Sequence, residues 1–481
     1  MRRGRILLVG TALLLTGCTM IPKYTRPEPP VPPSWPEAAV HGAKPEQPVD
    51  VPWQEFFSDA RLRSVIETAL AGNRDLRVAT LNVEKAAALY RIQRAELFPA
   101  LGVQGVGDRS RLPAKASPSG QAEISSLYSV QVGMVAWELD LFGRIRSLKA
   151  SALEQYFATE EGRVAARIAL IAGTARAWLI LAADAEDLRW ARATLETQRA
   201  SLDLIRKTAE MGMVSDLDVR QAESQVETAR ADVARFTGLV AVDRNTLDLL
   251  AGTTIADPML PEELNAVTGP GALAPGLPSE VLLRRPDILA AEHLLKAMNA
   301  NVGAARAAFF PRISLTGGGG YMSSHLSDLF SSGTGAWTFA SQLLAPIFMS
   351  GAAIANLKAV KVDREIAVAR YEKAIQVAFS EVSDALALRS TLVEQRDAQE
   401  ALVRALEETY RLSDARYKAG LDGYLGVLVA ERSLLAARHA LVSVRLAEQT
   451  NMVTLYQALG GGASDGVGHE DADGPLPIGS D

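Results

Sequence analysis

Apolar residues along much of this chain return at intervals of four and three. Val164, Ile168, Ile171, Ala175, Trp178 and Ala182 follow that spacing, which is the seam of a coiled coil. The surrounding stretch is free of proline from residue 119 to 257, and a second such stretch runs from 347 to 474. Both are rich in Ala, Leu, Glu, Gln and Arg, the composition of long helices. Residues 147–209 alone make 63 positions, which would be ~95 Å of unbroken helix. No compact soluble core needs a helix of that length.

The pattern is doubled. Residues 74–107 align with 286–320 at an offset of 212, so that Asp75 falls on Asp287 and Phe98-Pro99 on Phe310-Pro311. Residues 212–223 align with 420–431 at an offset of 208. A repeat of this size is too long for a solenoid unit and means two structurally equivalent halves. Each half reads as a helix ending at Phe-Pro, two strands joined by a polar loop, a very long helix, a turn marked by Gly, and a shorter helix. The strands are expected near 100–111, 126–139, 312–323 and 335–347.

Segments of about ten residues flanked by Tyr128, Trp137, Tyr321 and Trp337 suit the strands of a membrane β-barrel. Soluble hairpins on a coiled coil are the other reading of the same pattern. Four strands cannot close a barrel by themselves, since the smallest common ones have about eight. An open edge in lipid would leave backbone groups unsatisfied. The strands are therefore pooled between copies of the chain, and three copies give twelve. The Ala-rich face of the second long helix (Ala352, Ala353, Ala355, Ala359, Ala367, Ala369) permits close packing of the helices side by side.

At the N-terminus, Arg2, Arg3 and Arg5 precede an apolar run from Ile6 to Leu15, the form of a signal peptide. Leu15-Thr16-Gly17-Cys18 then has the form of a bacterial lipoprotein signal, with cleavage before Cys18 and N-acyl and S-diacylglycerol lipid, palmitate among the chains, on that residue. Cys18 is the sole cysteine. Ten prolines between residues 22 and 52 make the next segment an extended arm. Thr19 stands where aspartate would signal inner-membrane retention, so the expected home is the outer membrane. The resulting division is a signal peptide at 1–17, a lipidated arm at 18–60, a first repeat at 61–252, a proline-rich link at 253–286, a second repeat at 287–461 and a flexible tail at 462–481.

Composition removes several function classes. The net charge is −6, and no basic cluster lies beyond the first five residues, which argues against nucleic acid as a partner. One cysteine excludes a disulfide framework and any Cys-based zinc site. The five histidines (His41, His293, His325, His439, His469) have no metal-ligand spacing. No nucleophile motif, P-loop or paired histidine–carboxylate set is evident in the sequence, so no catalytic residue, metal or cofactor beyond the covalent lipid is expected.

Several segments together carry a specific resemblance: "TGC", "WQEFFSDARLRSVIETALAGNRDLRVATLNVEKAAALYRIQRAELFP", "WELDLFGRIRS", "LPSEVLLRRPDI", "AFFPRISLTGG", "YEKAIQVAFSEVSDAL" and "LYQALGGG". The chain resembles the outer-membrane factor (TolC-like) family of tripartite efflux systems, in its OprM-like lipoprotein branch. The resemblance covers nearly the whole mature chain. It implies a mainly α homotrimer with a twelve-stranded membrane β-barrel and a twelve-helix α-barrel reaching ~100 Å into the periplasm. It also implies an equatorial domain built from the arm, the link and the tail. The implied role is a passive exit duct served by an inner-membrane pump of the resistance-nodulation-division type and a periplasmic adaptor. A structural coiled-coil lipoprotein and a general diffusion porin are the competing functions.

The resemblance also names site residues. Arg416 and Tyr417 match the family's tethering Arg-Tyr pair at the periplasmic gate, Asp218 an acidic partner with Asp216 nearby, and Leu425 an apolar constriction. Gly212, Ala419 and Gly420 mark the helical tips that would receive the adaptor. The chain departs from the family at Gly426 and Val429, where relatives tend to carry aspartate on one or the other. Closure would then lean on Leu425 and the tethers, with Asp422 close by.

Overall fold

The structure is a computed structural model and describes residues 19–35, 51–267 and 279–463. The signal segment, Cys18, part of the link and the tail from residue 464 lie outside the described residues. In chain order the elements are α1 (Trp53–Phe56), α2 (Ala60–Gly72), α3 (Arg74–Ala95), β1 (Leu101–Leu112), β2 (Glu123–Leu139), α4 (Arg144–Glu210), α5 (Asp216–Ala251), α6 (Pro286–Ala307), β3 (Arg312–Ser323), β4 (Gly335–Leu344), α7 (Ala352–Lys418) and α8 (Tyr424–Ala458). Helix, strand pair, long helix and shorter helix thus occur twice, and α4 and α7 are each 67 residues long. The chain divides into two units. One comprises 1–28, 82–160 and 290–372, and the other 29–81, 161–289 and 373–481.

The first unit contains the sheet, an antiparallel meander in the order β1-β2-β3-β4. Side chains alternate between the faces of a strand, so the register sorts them. Val103, Val132, Gly319 and Trp337 form one cross-strand row. Leu101, Met134, Gly317 and Phe339 form another, and Leu139, Ile313 and Leu343 a third. All three rows are apolar and lie on one face, where Arg109, Arg111 and Ser126 stand only toward the far ends of β1 and β2 and Ser341 interrupts β4. The opposite face carries Gln104, Gln131, Gly320 and Ala336 in one row and Glu138, Ser314 and Gln342 in another. Trp337, Phe339, Leu101 and Val103 are all exposed. These side chains of the face are left uncovered by the described residues.

The sheet bends toward its polar face. A Cβ built on Gly320 would lie 2.0 Å from the Val130 carbonyl oxygen, and one on Gly133 2.2 Å from that of Gly317. Neither position admits a side chain, because β2 and β3 close on each other there. Gly319 points to the other face and meets nothing nearer than 3.9 Å. A bulge between Met134 and Trp137 adds local coiling, with Ala136 at φ 52°.

The beginning of the extended arm packs in the same unit. Asn299 Nδ2 donates to the Pro22 carbonyl at 2.8 Å and Arg306 to that of Met20 at 3.3 Å. Arg26 forks onto buried Glu292 through Nε at 3.0 Å and Nη2 at 2.6 Å, and Tyr24 donates to the same carboxylate at 3.1 Å. Burial alone would raise Glu292, but Arg26, Lys296 and Tyr24 together hold its carboxyl below the usual range.

In the second unit the predicted seam is buried. Val164, Ile168, Ile171, Ala175, Trp178 and Ala182 are each at most 4% exposed. Among the described residues, α4 is the helix long and apolar enough to cross a membrane, yet its seam is already covered by protein. Asp59 caps α2 by accepting from Arg61 N and Leu62 N. Trp53, Phe56, Phe57 and Tyr456 bury the chain around α1, with Phe56 stacked on Tyr456 at 4.1 Å.

The two neighbouring glycines of β3 allow a paired test. Gly320→Ala is expected to cut the yield of folded, heat-modifiable protein in outer membranes several-fold, and Gly319→Ala to leave it near the parent. Equal yields would show that β2 and β3 do not approach so closely.

Candidate functional site

The two helical turns at the ends of α4 and α7 are built alike. Gly212 N donates to Ala209 O at 2.8 Å and Met213 N to Thr208 O at 3.1 Å. Gly420 N donates to Tyr417 O at 2.9 Å and Leu421 N to Arg416 O at 3.0 Å. This pair of bonds is the Schellman ending. It needs a left-handed residue, which Gly212 and Gly420 supply at φ 74° and 71°. Both glycines and Ala419 are exposed.

The fastenings of the turns differ. Ser215 and Asp218 form a capping box on α5: the Ser215 hydroxyl accepts from Asp218 N at 3.3 Å, and Asp218 accepts from Ser215 N at 3.0 Å. At the second turn Gly423 precedes α8 without a side-chain cap. There Arg416 bridges the turn instead, forking through Nε and Nη2 onto Asp422, with Nη2–Oδ1 at 3.1 Å. Each partner shifts the other, so Arg416 is held up and Asp422 down. The pair is exposed and therefore screened by salt.

Behind the turns the two repeats share one apolar cluster. Leu202 and Ile205 of α4 and Ala222 and Val226 of α5 bury against Tyr424, Val427 and Leu428 of α8. Tyr410 and Tyr417 of α7 pack on its edge, with the Tyr417 and Tyr424 rings 5.2 Å apart. Burial, and then the charge of Asp218, pushes the Tyr417 phenol up. Burial pushes Tyr424 up to about 12.

The structure therefore brings Tyr417 and Asp218 into one neighbourhood. Within a single chain it pairs Arg416 with Asp422 and sets Asp218 to capping. Asp216 and Leu425 are exposed, Leu425 at 59%. Met211, Met213, Leu217 and Leu421 are also exposed at the tips. Leu217 is the repeat counterpart of Leu425 at the offset of 208. Apolar residues flanking both Schellman glycines were the available signal.

Further from the tips, acidic groups meet between the long helix and its neighbours. Burial is the main cause that pushes Asp184 of α4 up to about 7. A hydrogen bond to Asp243 of α5 and the charges of Asp243 and Asp187 add to it, and Arg235 opposes. Asp187 also pairs with His439 of α8 at 2.8 Å, and the His439 ring stacks on Phe236 at 5.2 Å. No group of ligands fit for a metal ion occurs among the described residues.

Residues 65–253 and 277–461 match the profile of the family described as Outer membrane efflux protein. The chain belongs to the outer membrane efflux protein family. The toluene efflux pump outer membrane protein TtgC of Pseudomonas putida is 47% identical over 468 residues, 96% of each chain. Outer membrane protein OprJ of Pseudomonas aeruginosa is 42% identical over 464 residues, 95% of each chain. The crystal structure of the open state of the Neisseria gonorrhoeae MtrE outer membrane channel superposes with a TM-score of 0.83 at 39% identity, covering 93% of this chain and 99% of that one. This outer membrane efflux protein is thus a channel component of the outer membrane, with its sheet in the membrane and its helices in the periplasm.

The Asp184 pair sets a pH dependence. Between about pH 4, where a free aspartate titrates, and about 7 the unfolded chain has released a proton that the folded chain keeps. The folded state binds more protons there, so stability falls as pH rises through that window. Thermal melts of the helical circular-dichroism signal in detergent should show a midpoint higher at pH 5 than at 7.5, and Asp184→Asn should shrink the difference. An unchanged difference in the variant contradicts the assignment.

Proposed function

We propose that this protein is the passive exit duct of a tripartite efflux system and performs no chemistry of its own. The observation that carries the reading is the sheet, with apolar cross-strand rows on one face, polar rows on the other and two unpaired edges at β1 and β4. In lipid those edges must pair. Pairing β1 with β4 of a neighbouring copy continues the meander, and a homotrimer closes it at twelve strands around a polar lumen. The four long and shorter helices of each copy, α4, α5, α7 and α8, would then associate side by side with those of the other copies into a helical tube of twelve.

The tube would be gated at its tips. Three copies bring three Leu425 side chains and three Arg416–Asp422 pairs toward one axis, with Asp216, Asp218 and Tyr417 beside them. The Gly212 and Gly420 turns, with Ala419, would receive the periplasmic adaptor. An inner-membrane pump of the resistance-nodulation-division type would supply energy. Relatives are named for toluene, solvent and antibiotic efflux, which supports a duct whose cargo is chosen by its pump. Lipid on Cys18 would start an arm already fastened to α6 through Arg26 and Glu292, so it would supplement the barrel as an anchor.

Two measurements test this. In planar bilayers the parent should be nearly silent, and Leu425→Ala should raise single-channel conductance at least about twofold with increased vancomycin sensitivity of cells. High conductance in the parent would favour a general diffusion porin. Separately, a non-lipid signal with Cys18→Ser should leave export largely intact. Complete loss of export with the barrel still in the outer membrane contradicts the supplementary role of the lipid.

A further inference from the structure

The internal repeat makes one aromatic contact inside the chain and leaves its equivalent open. Phe142 follows β2 and stacks on Phe310, which precedes β3, with ring centroids 4.7 Å apart and planes at 22°. Phe310 corresponds to Phe98 at the offset of 212 already noted. Phe142 corresponds to Phe348: "DLF" (140–142) and "PIF" (346–348) each close a strand pair and lead into a long helix after Gly143 or Gly351. The second connection is longer by Met349 and Ser350.

The covered pair thus has an uncovered counterpart. Phe98 is 63% exposed and Phe348 86%, and Ile347 beside it is 96% exposed. Ile347 and Phe348 line an open apolar recess with Phe309, Met349 and Ile354. Phe98 precedes β1 and Phe348 follows β4, the two strands at opposite edges of the sheet. No single chain can bring them together through the sheet. A second copy joined edge to edge does so.

The adjoining helices repeat the asymmetry. In the chain α6 touches α4 where Gly303 faces the Ser147 hydroxyl, 2.7 Å from where a Cβ would stand. The corresponding positions are Arg91 on α3 and Ala355 on α7. Next to them stand Ile92 and Ile354, apolar side chains 64% and 69% exposed.

We propose that Phe348 of one copy stacks on Phe98 of the next, reproducing between copies the Phe142–Phe310 contact made within each. The proposal rests on the closed multi-copy barrel above and names the residues that fasten its seam. Stacked rings at such spacing add directional attraction to the area they bury. The contact lies where the strands meet the helices, so it joins neighbouring copies at the point where the sheet gives way to the tube.

The test uses the full-length protein with Cys18→Ser and a short bis-maleimide. Phe98→Cys with Phe348→Cys should give bands of two and three chains that survive boiling in detergent. Phe142→Cys with Phe310→Cys should consume both thiols yet run as one chain. Ile92→Cys with Ile354→Cys leaves both rings in place, and should also give multi-chain bands if the first variant assembles poorly. Boiled monomer from both inter-copy pairs, with the unheated oligomer intact and the intrachain control cross-linked, overturns the proposal and leaves the duct standing. Phe98 and Phe348 would then face lipid. Absence of any unheated oligomer in the parent overturns both.

Discussion

The structure depends on a requirement of backbone hydrogen bonding. A sheet of four strands ends in two edges, β1 and β4, and each edge carries a row of N–H and C=O groups. Water satisfies such groups, and hydrocarbon does not. The apolar rows built from Leu101, Val103, Val132, Trp337 and Phe339 commit one face of this sheet to hydrocarbon. The same residues therefore commit its edges to pairing. Glycines at 133 and 320 let the sheet curl toward its polar side, the direction that places Gln104, Gln131 and Gln342 in a lumen.

The duplication explains how one chain can answer that requirement with so little variety. Both halves use the same Schellman turn, the same strand pair and the same very long helix. They differ where position in the assembly differs. The first tip is held by a capping box and the second by an exposed ion pair across a glycine-rich turn. A capping box is short-range and resists salt, whereas the Arg416–Asp422 pair can exchange partners at little cost. The second tip is thus the more loosely fastened of the two.

Much of this was legible in the chain. Proline-free stretches located α4 and α7, and the aromatic and glycine pattern located β1 to β4 within a few residues. The seam from Val164 to Ala182 is buried as its spacing requires. Less legible were features whose partners lie outside one chain or across a turn. Ile92 and Ile354 are apolar yet largely exposed among the described residues. The pairing of Arg416 with Asp422, six residues on, depends on the left-handed Gly420 between them. Asp218 stands three residues after Ser215, the spacing of a capping box, and that local role is compatible with a place at the tip. Whether the arm packs could not be read from its prolines; it was decided by buried Glu292 on α6, 266 residues from Arg26.

Native mass spectrometry of the detergent-extracted protein tests the central claim most directly. Edge-to-edge closure of four-stranded sheets around a polar lumen predicts an assembly of three chains. A stable folded monomer or dimer would leave strand edges unpaired in lipid and would contradict it.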